Sequence, residues 1–448
     1  MFKGGKSEGV QEANNPIEKA REFQRTLCRA AKQSATRRFH ALYDKIYRKD
    51  ILRMAWEMVK ARKGSGGIDG QTIQSIEESG VEAFLTQVQE KLREGAYRPQ
   101  PVRRVYIPKA DGRLRPLGIP SVCDRVVQGA MKIVLEPLFE ADFQQCSFGF
   151  RPKRSAHDAN EVIRQTANNG CNWVVDADIK DYFGTIDQKK LMVLLKRRIS
   201  DRRMLKLIRK FLRAGVLEDG QVRTAVAGTP QGGVLSPLLA NVYLNYLDKI
   251  WADRCKEIGV LVRYADDLVV LCRSEERAKE ALRRLNIVTD RLGLALHPEK
   301  TRVVNLWDGK DGFDFLGFHH RKVRSWRYKR YYLQHWPREK AMSSIREKIR
   351  TIIGERLQRL HRSLKQVIEE LNPVLRGWGN YFAKGNSSRF FDKIDSYVEE
   401  KLYLFLSKKH GKSGRGWGVR WKDIDFRNMG LYYLGGTIRW HQYSVNAD

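Results

Sequence analysis

Two adjacent aspartates, Asp266 and Asp267, lie between the short apolar runs LVRYA and LVVLC. Runs of this kind around a tight turn predict the two strands of one β-hairpin. Acidic pairs such as Glu369–Glu370 lie instead in sequence with helical spacing, where water solvates them. Two carboxylates at the tip of a buried hairpin cost free energy unless a cation neutralises them. The pair therefore predicts an antiparallel sheet with a cation site, and an ordinary Asp–Asp turn is the alternative.

A third aspartate, Asp178, follows another apolar β-type run, WVVDA (173–177). Hard divalent ions prefer carboxylate oxygens, and Mg²⁺ also keeps waters and shares substrate phosphates. Two such ions about 3.5–4 Å apart can clamp the attacking and leaving oxygens of a phosphoryl transfer. Spacing alone leaves open whether Asp178 joins this site or is unrelated to it.

The positive charge of the chain predicts a polyanionic partner, most commonly a nucleic acid. The 448 residues carry a formal net charge of +32, and residues 321–448 alone contain 28 basic and 12 acidic side chains. Aromatic residues are interleaved with the basic ones, as in SWRYKRYYLQHW (325–336). Rings stack on unpaired bases, and Lys and Arg contact phosphates. A solvated basic surface over an aromatic core is the alternative.

Several protein classes are disfavoured by the composition. No apolar run approaches the roughly 18 residues of a membrane span, and the N-terminus has no apolar secretory segment. The six cysteines include no C-x-x-C pair, which disfavours a Cys-rich zinc module and a disulfide framework. We therefore expect a cytoplasmic protein without a membrane or zinc partner.

Hydrophobic spacing predicts a helical start, a mixed middle and a helical end. Helices are predicted over 17–62 and 73–94, a β-hairpin over 102–120, and helices over 338–409 with breaks at Asn372–Pro373 and 385–388. The strands of the middle do not alternate regularly with helices, so a doubly wound parallel sheet is not expected. This order predicts an α+β fold.

The YADD sequence at 264–267 resembles the Y-x-D-D hairpin of reverse transcriptases, and further blocks of that family follow in its order. These are VYIPKADGRLRPLGIPSVCDRVVQ (105–128), SFGFRPKRSAHDA (147–159), DIKDYFGTID (178–187), GTPQGGVLSPLLANVYLN (228–245), HPEKT (297–301) and FDFLGF (313–318). RPLGIP, FGFRP and GTPQGG are forms typical of group II intron-encoded reverse transcriptase–maturases. LNPVLRGWGNYF (371–382) resembles their helical maturase region. The similarity covers about residues 20–410.

The resemblance implies an α+β right-hand polymerase, with fingers, a palm built on an antiparallel sheet, a helical thumb and a helical N-terminal extension. The expected divisions are an extension over 1–62, helical from about 17; fingers and palm over 63–320; a helical thumb or maturase (X) domain over 321–412; and a short basic tail over 413–448, a candidate for DNA binding. The tail has no Cys and one His, so we expect no Cys/His-rich endonuclease domain. This layout resembles the compact IIC subgroup.

By match to the family motifs, the resemblance implies that Asp178, Asp266 and Asp267 are catalytic. They would bind two Mg²⁺ ions together with the backbone carbonyl of Ile179, and Mn²⁺ is a candidate substitute. The metals would lower the pKa of a primer 3′-OH and stabilise charge on the departing pyrophosphate.

A second set of residues is implied to contact the incoming deoxynucleotide. Its members are Lys109, Arg115, Asp181, Tyr182, Phe183, Gln231 and Lys300. Lys109 and Arg115 would grip the triphosphate, and the backbone N–H groups of Asp181 and Tyr182 would hold phosphate oxygens. The ring of Phe183 would exclude a 2′-OH.

Gln231 would lie beside the sugar and the template base. Lys300 would give a proton to pyrophosphate, and a phosphate-binding surface lysine is the equal alternative. Arg151, Lys153 and Arg154 are candidates to follow the RNA template backbone.

The function implied is that of an RNA-directed DNA polymerase that binds its group II intron RNA, assists splicing and copies the intron into DNA during retrohoming. Its partners would be intron RNA, an RNA template with a DNA or RNA primer, target DNA and dNTPs, in the bacterial cytosol or nucleoid. One alternative is a domesticated bacterial reverse transcriptase in defence or repair. Another is a non-catalytic RNA-binding splicing factor, against which the intact aspartates argue.

Overall fold

The computed structural model describes residues 15–439 except 109–111, 113, 219–220, 224–227, 229–231, 328, 355–360, 413–419 and 422. The chain divides into two compact units. The first comprises Met1–Ser155, Ala177–Val270 and Glu276–Arg302, and the second comprises Ala156–Asp176, Leu271–Glu275 and Val303–Asp448. No helix within the described residues has the length and apolar composition needed to span a bilayer.

The first unit begins with helices, as the spacing of apolar residues predicted. They are α1 (Pro16–Gln33), α2 (Tyr43–Ile46), α3 (Lys49–Ala61), α4 (Ile73–Ser79) and α5 (Val81–Arg93). Helix α1 starts where the Asn15 side chain accepts a hydrogen bond from the Ile17 N–H, with Pro16 in the first turn. Helix α3 buries Leu52, Ala55 and Trp56 on one face, which anchors it in the core.

A four-stranded sheet follows, with the order β2-β1-β4-β5. Its strands are β1 (Val102–Pro108), β2 (Leu114–Ile119), β4 (Val216–Glu218) and β5 (Gln221–Arg223). Strands β1 and β2 are antiparallel, so the predicted hairpin is confirmed, whereas β1 and β4 are parallel.

The centre of the chain combines buried helices with a second four-stranded sheet. The helices are α6 (Val122–Glu140), α7 (Ala156–Asn168), α8 (Tyr182–Thr185), α9 (Gln188–Lys196), α10 (Arg202–Arg213), α11 (Ser236–Arg254) and α12 (Glu275–Leu292). The sheet has the order β6-β7-β3-β8, from β3 (Trp173–Asp178), β6 (Val260–Tyr264), β7 (Asp267–Cys272) and β8 (Arg302–Asn305). With both kinds of element mixed in this way, the predicted α+β class is confirmed.

The second unit contains a three-stranded antiparallel sheet, β9 (Gly312–Phe315), β10 (Phe318–Arg324) and β11 (Tyr331–Pro337), in the order β11-β10-β9. Its later helices are α13 (Glu339–Ile353), α14 (Leu364–Phe382) and α15 (Ser388–Lys409). The division expected to be helical from residue 321 therefore starts with strands, because 318–337 pair as a hairpin.

The break predicted at Asn372–Pro373 is wrong, because helix α14 continues through Pro373. The side-chain amide of Asn372 donates to the Gly430 carbonyl, and its oxygen accepts from the Tyr432 N–H. Tertiary contacts thus hold the helix where the local sequence predicts a break.

Part of the expected basic tail belongs to the folded core of the second unit. Phe426, Leu431 and Leu434 are buried in one cluster with helices α13 to α15. The Asp395 carboxylate accepts the backbone N–H groups of Leu434 and Gly435. The segment 423–439 therefore closes the helical bundle.

Candidate active site

The Asp–Asp turn between β6 and β7 has an unusual backbone. Ala265 has φ +58°, in the left-handed region that residues with a Cβ seldom adopt, and its side chain is buried. Gly149 lies so close that a Cβ on it would collide with the Ala265 N–H. The surrounding chain therefore determines the conformation of this turn, which the local sequence disfavours by about 1–3 kcal/mol.

The side chain that fixes the turn is Arg263, which is fully buried. Its Nη1 donates to the Ala265 carbonyl oxygen at 2.9 Å and to Asn241 Oδ1 at 3.1 Å. Its Nε and Nη2 bond the two carboxylate oxygens of Asp248 at 2.8 and 2.5 Å. Burial lowers the pKa of Arg263, but the Asp248 carboxylate more than offsets this, so the pKa is raised. The arginine is thus a permanent cation beneath the turn.

Arg263 also connects the turn to the segment 146–149. Its Nη2 donates to Ser147 Oγ at 2.7 Å, and its backbone N–H donates to the Cys146 carbonyl oxygen at 2.7 Å. Asn241 Nδ2 bonds the Gly149 carbonyl oxygen at 2.8 Å. Three separate sequence blocks therefore meet at one guanidinium. Sequence reasoning missed this role, although an arginine inside the apolar run LVRYA was a signal for it.

Asp178 lies at the end of β3, in contact with the segment 295–300. Lys300 Nζ bonds Asp178 Oδ2 at 2.5 Å, and the His297 N–H donates to the Asp178 carbonyl oxygen at 2.7 Å. Ile179 pairs with Leu296 in an antiparallel bridge whose bonds run through the flanking residues. In this pattern the carbonyl of Ile179 points away from Leu296.

The electrostatics bring Asp178 and Asp266 into one site. The pKa of Asp266 is raised from its ordinary value, first by burial and also by the negative charge of Asp178. The Asp266 backbone N–H and the cations Arg115 and Lys300 oppose this rise without cancelling it. Asp266 is thus a buried carboxyl group next to a second carboxylate, Asp178. Arg115 and Lys300, both predicted from the sequence, are close enough to act on it.

The donor atoms fit a hard divalent cation, since two carboxylates and a backbone carbonyl offer only oxygen ligands. Asp267 is exposed at the start of β7. Across the described residues, no group of three or more His, Cys, Asp or Glu side chains forms a ready metal cluster. The structure therefore brings together Asp178 and Asp266, while the part of Asp267 stays a prediction.

Phe183 lies in the short helix α8, next to the block that begins at Gly228. The ring is half-buried and 5.5 Å from the ring of Tyr182. Tyr182 is buried, and its hydroxyl donates to the Ala240 carbonyl oxygen at 2.6 Å. A Cβ on Gly228 would lie 2.6 Å from the Phe183 carbonyl oxygen, so only glycine allows this approach. Asp181, just before α8, adopts φ +43°.

Two predicted nucleotide contacts, Lys109 and Gln231, lie outside the described residues. Gly232, which follows Gln231, has φ +105°, and a Cβ there would collide with the Gly118 carbonyl of strand β2. The chain beyond Gln231 therefore runs against the β1–β2 sheet, the sheet that carries Arg115.

The three RNA-binding candidates differ in exposure. Arg151 is buried, with Nη2 2.6 Å from Glu140 Oε1 and Nη1 2.9 Å from the Ser147 carbonyl oxygen, which favours a structural role. Arg154 Nη1 bonds the Gln145 carbonyl oxygen at 2.7 Å. Lys153 is exposed, with φ +59°. Of the three, Lys153 best keeps the character of a phosphate contact.

Comparisons with known proteins show which families this chain resembles. Residues 107–320 match the family model "Reverse transcriptase (RNA-dependent DNA polymerase)", and residues 342–422 match "Group II intron, maturase-specific domain". Over 341 residues the chain is 35% identical to Protein YkfC of Escherichia coli K12, covering 68% of this chain and 88% of that protein.

Two further relatives are longer than the region they share with this chain. The "Group II intron-encoded protein LtrA" of Lactococcus lactis is 42% identical over 214 residues, 47% of this chain and 35% of that protein. The "Uncharacterized 91 kDa protein in cob intron" of Schizosaccharomyces pombe is 28% identical over 442 residues, 82% of this chain and 53% of that protein.

Asp248→Asn is expected to lower the free energy of unfolding of the first unit by about 3–5 kcal/mol, because it leaves the buried Arg263 cation without its counter-ion. Denaturant titration measures the loss. Glu280→Gln is the matched control, since Glu280 pairs with Arg283 and Arg284 at the surface and should change stability little. Equal effects of the two substitutions would contradict the assigned role of Arg263.

Asp266→Asn is expected to stabilise the protein near neutral pH when a chelator is present. The folded-state pKa of Asp266 lies above its ordinary value, so its ionisation weakens the fold as the pH rises through that pKa. The gain should vanish in acid, where the carboxyl is protonated in both states.

Added Mg²⁺ should stabilise the wild type more than Asp266→Asn, as denaturant titrations with and without the ion would report. Asp290→Asn, at an exposed aspartate of the same unit, serves as the control. A Mg²⁺ effect of the same size in Asp266→Asn and the wild type would remove Asp266 from the cation site.

Proposed function

Since the chain belongs to the group II intron-encoded reverse transcriptase–maturase family and matches both the polymerase and the maturase models, we propose that it copies RNA into DNA at the Asp178–Asp266 pair. The observation that supports this most is the buried carboxyl of Asp266, whose pKa is raised by burial and by the charge of Asp178, inside a protein of net charge +32. A protein that only binds RNA has no use for buried carboxylates that repel phosphate.

Asp178, Asp266 and the Ile179 carbonyl would hold two Mg²⁺ ions, with Asp267 in support and Mn²⁺ as a substitute. When bound, the ions would acidify the primer 3′-OH and neutralise charge on the reacting phosphates. Lys300 now bonds Asp178, so it would leave this carboxylate when cations bind.

The incoming nucleotide would contact fixed cations and the aromatic ring of Phe183. The primer 3′-OH loses its proton to water and its oxygen forms a bond to the α-phosphorus of a dNTP. The bond from that phosphorus to the oxygen between the α- and β-phosphates breaks, which releases pyrophosphate. Lys109 and Arg115 would bind the triphosphate throughout, where developing negative charge strengthens the contact. Lys300 Nζ would then give its proton to the departing pyrophosphate.

Selection of the sugar would fall to Phe183, whose half-buried ring would clash with a 2′-OH. The backbone N–H groups of Asp181 and Tyr182 would hold phosphate oxygens, and Gln231 would contact the sugar and the template base. The phenol of Tyr182 is tied to Ala240, which would keep this segment in place while nucleotides exchange.

Beyond polymerisation, we propose that the second unit binds intron RNA and assists its splicing, and that the DNA copy is made at a target DNA during retrohoming. The maturase match over 342–422 supports this. So does the excess of basic over acidic residues in 321–448. Much of the binding would come from counterion release, so the affinity for RNA should fall steeply with salt.

Asp266→Ala is expected to abolish primer extension on an RNA template and to leave RNA affinity within about twofold of the wild type, because it removes a cation ligand and not a phosphate contact. Primer extension with and without Mg²⁺, run beside filter binding, measures both. Asp290→Ala should keep full activity. Extension by Asp266→Ala at the wild-type rate would refute the assignment.

Phe183→Ala is expected to raise ribonucleotide incorporation at least tenfold relative to dNTPs, an order of magnitude set by the loss of one steric clash. Competitive single-nucleotide addition gives the ratio of the two kcat/KM values. Phe183→Tyr keeps the ring and should keep the discrimination. An unchanged ratio of the two kcat/KM values in Phe183→Ala would refute the steric role of Phe183.

A further inference from the structure

The β10–β11 hairpin combines positive charge with exposed rings to an extent that the polymerase site does not explain. We call residues 321–327 and 329–332 the aromatic hairpin, and Tyr328 between them lies outside the described residues. They contain six Lys or Arg residues and no Asp or Glu, and no acidic residue occurs from 315 to 338. All of these residues lie in the second unit.

The tip of the aromatic hairpin presents a tryptophan to solvent. Trp326 is 90% exposed, which is unusual for a side chain that proteins normally bury for most of its area. The backbone of the turn is hydrogen-bonded, with the Ser325 N–H donating to the Arg330 carbonyl and the Lys329 N–H donating to the Ser325 carbonyl, both at 2.9 Å. The ring is therefore carried on a closed turn.

More rings and cations continue from the tip along the strands. Tyr331 and Tyr332 are 45% and 38% exposed, and Tyr331 lies directly across from Arg324 in the antiparallel register. Arg324, Lys329 and Arg330 are exposed as well. Flat apolar faces and cations thus alternate on a surface a few residues long.

This combination matches the chemistry of unpaired nucleotides. The face of an unpaired base stacks on an aromatic ring, and the phosphates on either side bind Lys and Arg. In a duplex the bases cover one another's faces, so only the phosphates would be available. A membrane surface would accept the cations, but helix α13, which follows the hairpin, buries its apolar residues Met342, Ile345, Ile349 and Ile353 in the core and does not offer them to lipid.

Trp307, in the same unit, can be compared with Trp326 because it is also exposed, by 68%. This tryptophan lies in the turn WDGKDG, where Asp308 and Asp311 outnumber Lys310. Carboxylates beside the ring would repel the phosphates that must accompany a stacked base. Both turns therefore expose a tryptophan, and the positive charge of its surroundings distinguishes Trp326 from Trp307.

We propose that the aromatic hairpin binds an unpaired stretch of RNA, with a base stacked on Trp326 and phosphates on Arg324, Lys329 and Arg330. The proposal rests on the RNA binding proposed above and adds the form of RNA that the second unit selects. Stacking is tolerant of sequence, so the hairpin distinguishes unpaired from paired nucleotides and not one base from another.

The test compares the affinity of the full chain for a 12-nucleotide oligo(U) RNA with that for a 12-base-pair RNA duplex, of a length near the roughly 4–16 nucleotides of single-strand sites. Trp326→Ala is expected to weaken oligo(U) binding about tenfold and to leave duplex binding unchanged. Trp326→Phe keeps a ring and should restore most of the affinity. Trp307→Ala should bind both RNAs like the wild type.

Wild-type affinity of Trp326→Ala for oligo(U), or an equal loss in Trp307→Ala, would overturn the proposal. So would a loss of binding to phosphatidylserine vesicles in Trp326→Ala with RNA affinity intact, which would make the hairpin a membrane element. Primer extension on an RNA template distinguishes failure of the hairpin proposal from failure of the proposed function. If the wild type extends primers while Trp326→Ala binds oligo(U) normally, only the hairpin proposal fails, whereas a wild type that neither binds RNA nor extends primers refutes the proposed function itself.

Discussion

The buried pair of Arg263 and Asp248 is the interaction on which the candidate site depends. Removing both charges from water is costly, and only good geometry with further hydrogen bonds recovers that cost. Here the guanidinium also bonds Asn241, Ser147 and the Ala265 carbonyl. A left-handed alanine next to two aspartates is thereby held in one conformation. The ion pair thus gives specificity of backbone position, which a hydrophobic replacement of the same volume would not supply.

The net charge of the whole chain and the charges at the candidate site are opposite in kind. The chain as a whole is strongly basic, which attracts polyanions, while Asp178 and the buried Asp266 place two carboxylates close together. Lys300 pairs with Asp178, and Lys300 and Arg115 lower the pKa of Asp266 without cancelling its rise. Such an arrangement suits an enzyme that must bring phosphate close to carboxylates, because cations can enter with the substrate and make the approach favourable.

The second unit shows how far a segment can depart from its local character. Residues 423–439 belong to the segment predicted as a basic tail, yet Leu431 and Leu434 are buried with the helices, and Asp395 accepts two backbone N–H groups of this segment. Pro373 lies inside a helix that the sequence alone would end. In both cases contacts between residues distant in sequence outweigh the local conformational preference. A stretch of a few residues does not reveal those contacts.

The sequence alone determined most of the helices and strands and the identity of the acidic residues. The apolar runs around Asp178 and Asp266 predicted strands, the periodic segments predicted helices, and the ordered motifs predicted the family and its chemistry, because each of these signals is local and repeated. Only the tertiary structure decided that Asp178 and Asp266 share one electrostatic site, that Arg263 supports the turn and that Arg151 is buried against Glu140. These facts depend on which distant segments meet. The residue type of a charged side chain is the same whether it faces water, phosphate or a buried counter-ion, and packing alone decides among the three.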